Sequence, residues 1–236
     1  MIINADVGEE SGNDEQIMPL ISWCNIACGE HAGNENEIEK TVALAIKYNV
    51  HMGAHPSYPD KANFGRVKVK MNYTDLVDSL TNQIQLVSQK AREQGAKIVH
   101  VKPHGALYND AVKENITARA IIDAVKNIDK SLYIVTQKNG ILDKLSQGVL
   151  EVKYEAFMDR AYEEDLSLVS RSKPSAILST PEEVFEQVNK MINKGVVRTI
   201  SGAEKPIIFD TICVHGDHRN SVSILKYLHK KFKGIN

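Results

Sequence analysis

His100, Lys102 and His104 alternate along Lys97-Ile98-Val99-His100-Val101-Lys102-Pro103-His104-Gly105. The β-branched run that precedes them predicts a short strand, and alternate side chains of a strand share a face. One face then carries two imidazoles and an ammonium, groups that can move protons and hold negative charge. A lone histidine there would be read as a satisfied buried ring; three such groups in register are not explained that way. Pro103 has no N–H to give to a ladder, so it stops the strand, and Gly105 lets the chain turn.

The same pattern recurs along the chain. Asp6 stands at the end of a first strand, Met1 to Ala5, where a rigid element aims it. The carboxylates that follow in the loop (Glu9, Glu10, Asp14) read as a solvated cluster. His31 lies between two glycines after a second strand, Trp23 to Cys28. His55 ends a third, Asn49 to His55. His51 and His55 have the spacing of a helical metal pair, but Gly53 and Pro56 disfavour a helix, and on a strand residues four apart are separated by about 13 Å. His55 is therefore the functional candidate and His51 a structural residue; the same logic separates His104 from His100. Arg66, in the long loop after the third strand, is placed to reach over a site. Asn109 closes the segment that begins at His100. Glu155, Asp159 and Arg160 follow a sixth strand, Leu150 to Tyr154, and His215 and Asp217 follow a last one, Ile207 to Val214. Arg171 is read as pointing toward the same place.

The elements that position these groups alternate. Helices are predicted over Glu35 to Tyr48 (Asn34 as N-cap; Ile38, Val42, Ala45 and Ile46 on one face) and Tyr73 to Gln94 (capped by Asn72 or Thr74; Leu76, Leu80, Ile84 and Val87 inward). Others are expected over Ile116 to Val125, Gly140 to Leu145, Pro181 to Lys194 and Ser221 to Phe232, with a fifth strand over Ser131 to Thr136. Gln16 to Ile21 reads as one helical turn interrupted by Pro19. Ala161 to Gly202 is less regular, with Leu166 to Arg171 and Ala176 to Ser179 as short extended pieces. Lys226, Lys230, Lys231 and Lys233 make a solvated helical face. Strand-then-helix units imply a parallel sheet. Polar groups after at least five strands fit the C-terminal rim of a closed barrel better than the switch point of an open sheet. The expected fold is a TIM-like (β/α) barrel of about seven strands, one domain over residues 1–236.

The 236 residues carry a formal net charge of −1, which leaves no nucleic-acid footprint. No apolar run approaches the length of a membrane span, and the N-terminus lacks the pattern of a signal peptide. Cys24, Cys28 and Cys213 are too few for a disulfide scaffold and lack zinc-site spacing, so they read as reduced, packed thiols of a cytoplasmic protein.

Asn4-Ala5-Asp6-Val7-Gly8-Glu9, Asn25 to Gly33, Gly53 to Asp60, His100 to Asn109, Asp159-Arg160-Ala161-Tyr162 and Cys213 to Asp217 together resemble the LamB/YcsF family, over nearly the whole chain and in the same order. Glu30, Asn34, Ser57 and Val67 depart from the family's usual residues. The resemblance implies a barrel related to the glycoside hydrolase and deacetylase barrels. It also implies ATP-driven opening of the cyclic amide 5-oxoproline to glutamate, with two further subunits, B and C, and Mg²⁺ as the usual counter-ion of ATP. On that reading Lys102 with Arg66 or Arg160 supplies positive charge, Asp6 or Glu155 activates water, and His55 or His104 shuttles protons. His31, Arg66, Asn109, Asp159, Arg160, His215 and Asp217 would surround the substrate. The chain has no G-x-x-x-x-G-K-[ST] loop, so ATP at the barrel mouth and ATP on a partner both stand. A divalent metal on Asp6, His31 and His55 is an alternative, since related deacetylases use an Asp and two His. Two other functions stay open: an ATP-independent, metal-dependent deacetylase or amidohydrolase, and a non-catalytic subunit.

Overall fold

Seven parallel strands close into a barrel in the computed structural model, which describes residues 2–232. They are β1 (Ile2–Val7), β2 (Trp23–Ala27), β3 (His51–His55), β4 (Ile98–Val101), β5 (Tyr133–Thr136), β6 (Val152–Phe157) and, after two strands outside the barrel, β9 (Thr211–Val214). The order is sequential, and β9 closes the ring between β6 and β1. The strand that carries His100 pairs with β3 and β5. Met1 and Lys233 lie outside the described residues.

The helices are α1 (Asp14–Ile17), α2 (Glu35–Lys47), α3 (Tyr73–Glu93), α4 (Gly105–Lys113), α5 (Asn115–Ile128), α6 (Ile141–Ser146), α7 (Pro181–Lys194) and α8 (Ser221–Lys231). A 3₁₀ turn led by Pro19 continues α1. Local chemistry sets the ends. Asn34 and Asn72 accept the N–H of Glu37 and Asp75, and Thr180 forms a capping box with Glu183. Gly195 closes α7 in the left-handed conformation. Leu76, Leu80, Ile84 and Val87 of α3 are buried as their spacing predicts, whereas Ile46 of α2 is exposed.

Two elements depart from the sequence reading. Helix α4 begins directly after His104; its glycine start and short length hide it in the sequence. A hairpin that begins within Ala161 to Gly202 and ends beyond it, β7 (Val196–Arg198) with β8 (Glu204–Pro206), stands outside the barrel. The two expected extended pieces are reduced to isolated bridges, Tyr162 with Leu168 and Arg160 with Ile177.

Period-2 alternation divides each barrel strand. Ile3, Ala5 and Val7 of β1 are buried in the apolar core, while Asn4 and Asp6 join a polar network of the interior. Asn4 donates to Thr211 Oγ1 at 2.9 Å, Asn25 donates to Asn4 Oδ1 at 2.8 Å, and His100 Nε2 donates to Asn25 Oδ1 at 2.7 Å. The His100 ring stacks on Trp23 at 4.6 Å. Gly53 sits opposite His100 in register, and a side chain there would overlap the imidazole. His100 is thus a floor residue, with burial and the Lys102 charge pressing its pKa down to about 3.

Candidate functional site

One layer above this floor, Asp6 and Lys102 meet from opposite sides of the barrel. Lys102 Nζ is 2.9 Å from Asp6 Oδ1, 2.9 Å from Glu155 Oε1 and 3.0 Å from Cys213 Sγ. The ammonium is almost fully enclosed. Burial would lower its pKa, but Asp6, Cys213 and Glu155 outweigh that and hold it well above the usual lysine value. Burial would likewise raise Asp6, yet His55 and Lys102 draw its carboxyl well below the usual range. The layer therefore holds a lysine cation and an ionised Asp6. Among the described residues, the one ion pair of the Glu155 carboxylate is with Lys102, and the buried Tyr108 hydroxyl has no hydrogen-bond partner.

At the strand ends lies a second cluster: Glu9, His31, His55 and His104, all buried, with ligating atoms within 4.8 Å of one another. His55 comes from the last residue of β3. His104 comes from just past β4, where the N–H groups of Lys102 and His104 still bond Ala54 O and Pro56 O at 3.0 and 2.8 Å. Pro103 falls between them, where no donor is needed. Glu9 Oε1 is 3.2 Å from His31 Nε2 and 3.4 Å from His104 Nδ1. Burial and the charges of Asp6 and Asp217 hold Glu9 well above the usual carboxylate range. Burial and His55 bring His31 down to about 3, and burial with His31 lowers His104. The Glu9–His31 contact is a hydrogen bond within this enclosed cluster.

Sequence context puts Glu9 among solvated loop carboxylates, and the structure corrects this. Gly8 and Glu10 flank it, and both have positive φ (70° and 59°), which folds the loop back and turns Glu9 inward. The glycine beside it is the one signal in the sequence. The metal set expected from sequence, Asp6 with His31 and His55, is not the compact group: Glu9 and His104 join the two histidines, while Asp6 Oδ1 is engaged by Lys102 and Asn25.

A cavity of about 420 Å³ opens above both layers. Among the expected site residues, Asp6, His55, Arg66, Lys102, His104, Asn109, Arg160, His215 and Asp217 line it; Glu9, Phe64, Lys113 and Arg171 line it too. His31, Glu155 and Asp159 stand behind this wall. Arg66 crosses the mouth to Asp217 at 2.5 Å, and Arg171 Nη1 approaches the same carboxylate at 3.7 Å. Arg160 donates to the carbonyls of Ala176 and Val169, which ties the loop after β6 to the rim.

Asp159 positions rather than lines. Its oxygens accept from His215 Nδ1 at 2.9 and 3.0 Å and from the His215 backbone N–H at 3.1 Å, and the imidazole stacks on Phe157. Burial would raise its pKa, but the His215 ring and N–H bring it down to about 2. Against about 3.9 in the unfolded chain, this contributes on the order of 2–3 kcal/mol. That stability is fully present above about pH 4 and is lost as pH falls toward 2. Asp159→Asn is expected to flatten the fall of unfolding free energy between pH 5 and 2, measured by urea titration at each pH. Wild-type steepness in the variant would remove this role.

The family model for the LamB/YcsF family matches residues 1–236. The chain belongs to the LamB/YcsF family. It is 41% identical over 234 residues to the A subunit of 5-oxoprolinase from Pyrococcus abyssi, covering 97% of this chain and 92% of the relative. The namesake from Acinetobacter baylyi is 42% identical over 228 residues, covering 94% and 90%. Among solved structures, the lactam utilization protein of Thermus thermophilus superposes with a TM-score of 0.90 at 34% identity, covering 98% of this chain and 95% of that one. A LamB/YcsF barrel therefore places its ionisable groups at the C-terminal ends of the strands, the rim where barrel enzymes carry their chemistry. Its three cysteines are free and buried, and among the described residues no helix is long and apolar enough to cross a membrane.

Proposed function

We propose that this chain is the A subunit of an ATP-dependent 5-oxoprolinase, which opens 5-oxo-L-proline to L-glutamate with ADP and phosphate as co-products, and works with two further subunits, B and C. The names of relatives at about 40% identity support the substrate. The observation that carries the chemistry is the cation-rimmed cavity, with Lys102 and Asp6 at its base and Arg66, Arg160 and Arg171 around it.

A lactam is an unactivated amide, and its carbonyl needs activation. Attack of the amide oxygen on the γ-phosphorus of ATP forms an O–P bond and releases ADP. Water then adds to the ring carbon, the C–N bond breaks, and nitrogen takes a proton, leaving an acyl phosphate that a second water hydrolyses. The added charge needs cations, which the arginines and Lys102 provide. Asp6, ionised and facing the cavity, is placed to take a proton from water; Glu155 lies behind Lys102 and does not reach the cavity. His55 and His104 border the space where nitrogen would leave.

The test is ATP-dependent glutamate release from 5-oxoproline, by this chain alone and with its partner subunits. Equal glutamate and ADP in the complete mixture, and neither from any part of it, is the expected result. ATP-independent hydrolysis of amides by this chain alone would favour the amidohydrolase reading, which the Glu9–histidine cluster motivates. Full activity with His104→Ala or Lys102→Ala would leave a non-catalytic role.

A further inference from the structure

The histidine cluster has its N–H groups pointing outward. His55 Nδ1 is 2.7 Å from the carbonyl oxygen of Lys102, and His104 Nε2 is 2.9 Å from that of Phe64. A carbonyl only accepts, so both of these nitrogens carry hydrogen. With both rings neutral, the opposite nitrogens, His55 Nε2 and His104 Nδ1, present lone pairs to each other across 3.0 Å. Glu9 Oε1 faces the same point, 3.4 Å from His104 Nδ1 and 3.9 Å from His55 Nε2. Three acceptors converge on a buried spot with no donor among them. A shared proton would satisfy two; a cation satisfies all three.

From this arrangement we propose that Glu9, His55 and His104 bind one divalent transition-metal ion at the base of the cavity. The separations of 3.0, 3.4 and 3.9 Å bracket the edge of about 3.3 Å expected between ligands of a tetrahedral ion with bonds near 2.05 Å. Imidazoles that donate their far N–H to backbone carbonyls are oriented as metal ligands are. His31 takes a different part. Its ring lies parallel to that of His104 at 3.8 Å and 8°, so an ion in the plane of one ring is out of the plane of the other. It instead holds the Glu9 carboxylate through Nε2 at 3.2 Å, as a positioning residue. Two histidines and one carboxylate leave a coordination position free, and Glu9, His55 and His104 all border the cavity.

The site does not depend on the ATP-coupled reading, and its test is binding rather than turnover. The protein is stripped with chelator, dialysed, and titrated with Zn²⁺ by calorimetry and with Co²⁺ by visible absorption. One equivalent of each is expected, with the more intense Co²⁺ bands of a four- or five-coordinate site. His55→Gln and Glu9→Gln are expected to weaken Zn²⁺ at least ~100-fold, and His31→Gln by roughly 10–100-fold, with folding checked by circular dichroism. Wild-type protein that shows only weak, six-coordinate Co²⁺ absorption, or no saturable Zn²⁺ binding, overturns the proposal without recourse to any variant. Stoichiometric binding that survives both ligand substitutions overturns it as well. Failure of 5-oxoproline turnover leaves these readouts unchanged.

Discussion

Lys102→Met is expected to abolish ATP-coupled opening of 5-oxoproline and to lower stability by about 3–5 kcal/mol. Methionine replaces most of the lysine stem, so little of the effect comes from lost volume. What disappears is the cation between Asp6 and Glu155, each 2.9 Å from Nζ and each buried. Two carboxylates then share a dry interior with Cys213 and without compensation. The folded chain must protonate one of them or admit water, and either costs free energy. The catalytic loss has a separate origin. Asp6 stays ionised because Lys102 and His55 counter its burial, and the ammonium is the charge at the base of the cavity. Removing one such group from a preorganised site typically costs about 10²–10³-fold. The two effects can be parted. Lys102→Met combined with Asp6→Asn and Glu155→Gln makes the trio neutral, and it should recover much of the stability while activity stays lost. Near-wild-type melting and turnover of the single variant would show that this buried pair carries neither role.

The barrel is legible in the sequence because its signal is redundant. The strands are short and mostly apolar, most carry a polar residue at or near their C-terminal end, and the helices carry caps and stripes that agree with them. The histidine assignments rest on the rise along a strand, which parts residues four apart by about 13 Å: His55 borders the cavity and His51 is exposed, while His100 lies below His104 on the barrel floor. The residues that escape a sequence reading are those whose placement depends on a loop conformation or on distant partners. Glu9 turns inward through backbone at Gly8 and Glu10 that no hydrophobic period encodes. Cys213 reads as a packed thiol until the closing strand brings it to Lys102 from more than a hundred positions away. Asp159 and Arg160 are neighbours in sequence with different tasks, one orienting His215 and the other holding loop carbonyls, and only their partners separate them. The hairpin β7–β8 lies off the barrel and follows no strand–helix alternation.

Gly216→Ala is expected to destabilise the chain by about 1–3 kcal/mol and to lower kcat by roughly 10²-fold. Gly216 follows His215 at the point where the chain leaves β9, whose strand pairs with β1 through Ala5 and Val214. A methyl group there would overlap the backbone carbonyl oxygen of Asp6. This obstacle is main chain at the end of a central strand, not the tip of a flexible side chain, so it cannot swing away. Relief requires β1 and the segment after β9 to part, which moves Asp6 relative to Lys102 and shifts His215 and Asp217 at the rim. Gly53→Ala makes a useful contrast, because its added methyl meets the His100 ring on the floor rather than the Asp6 backbone. It should cost stability with a smaller change in kcat. Melting temperature and kcat measured on both variants separate crowding from displacement of the site. If Gly216→Ala lost no more activity than Gly53→Ala at equal stability, placement of Asp6 to within about an ångström would not govern the reaction.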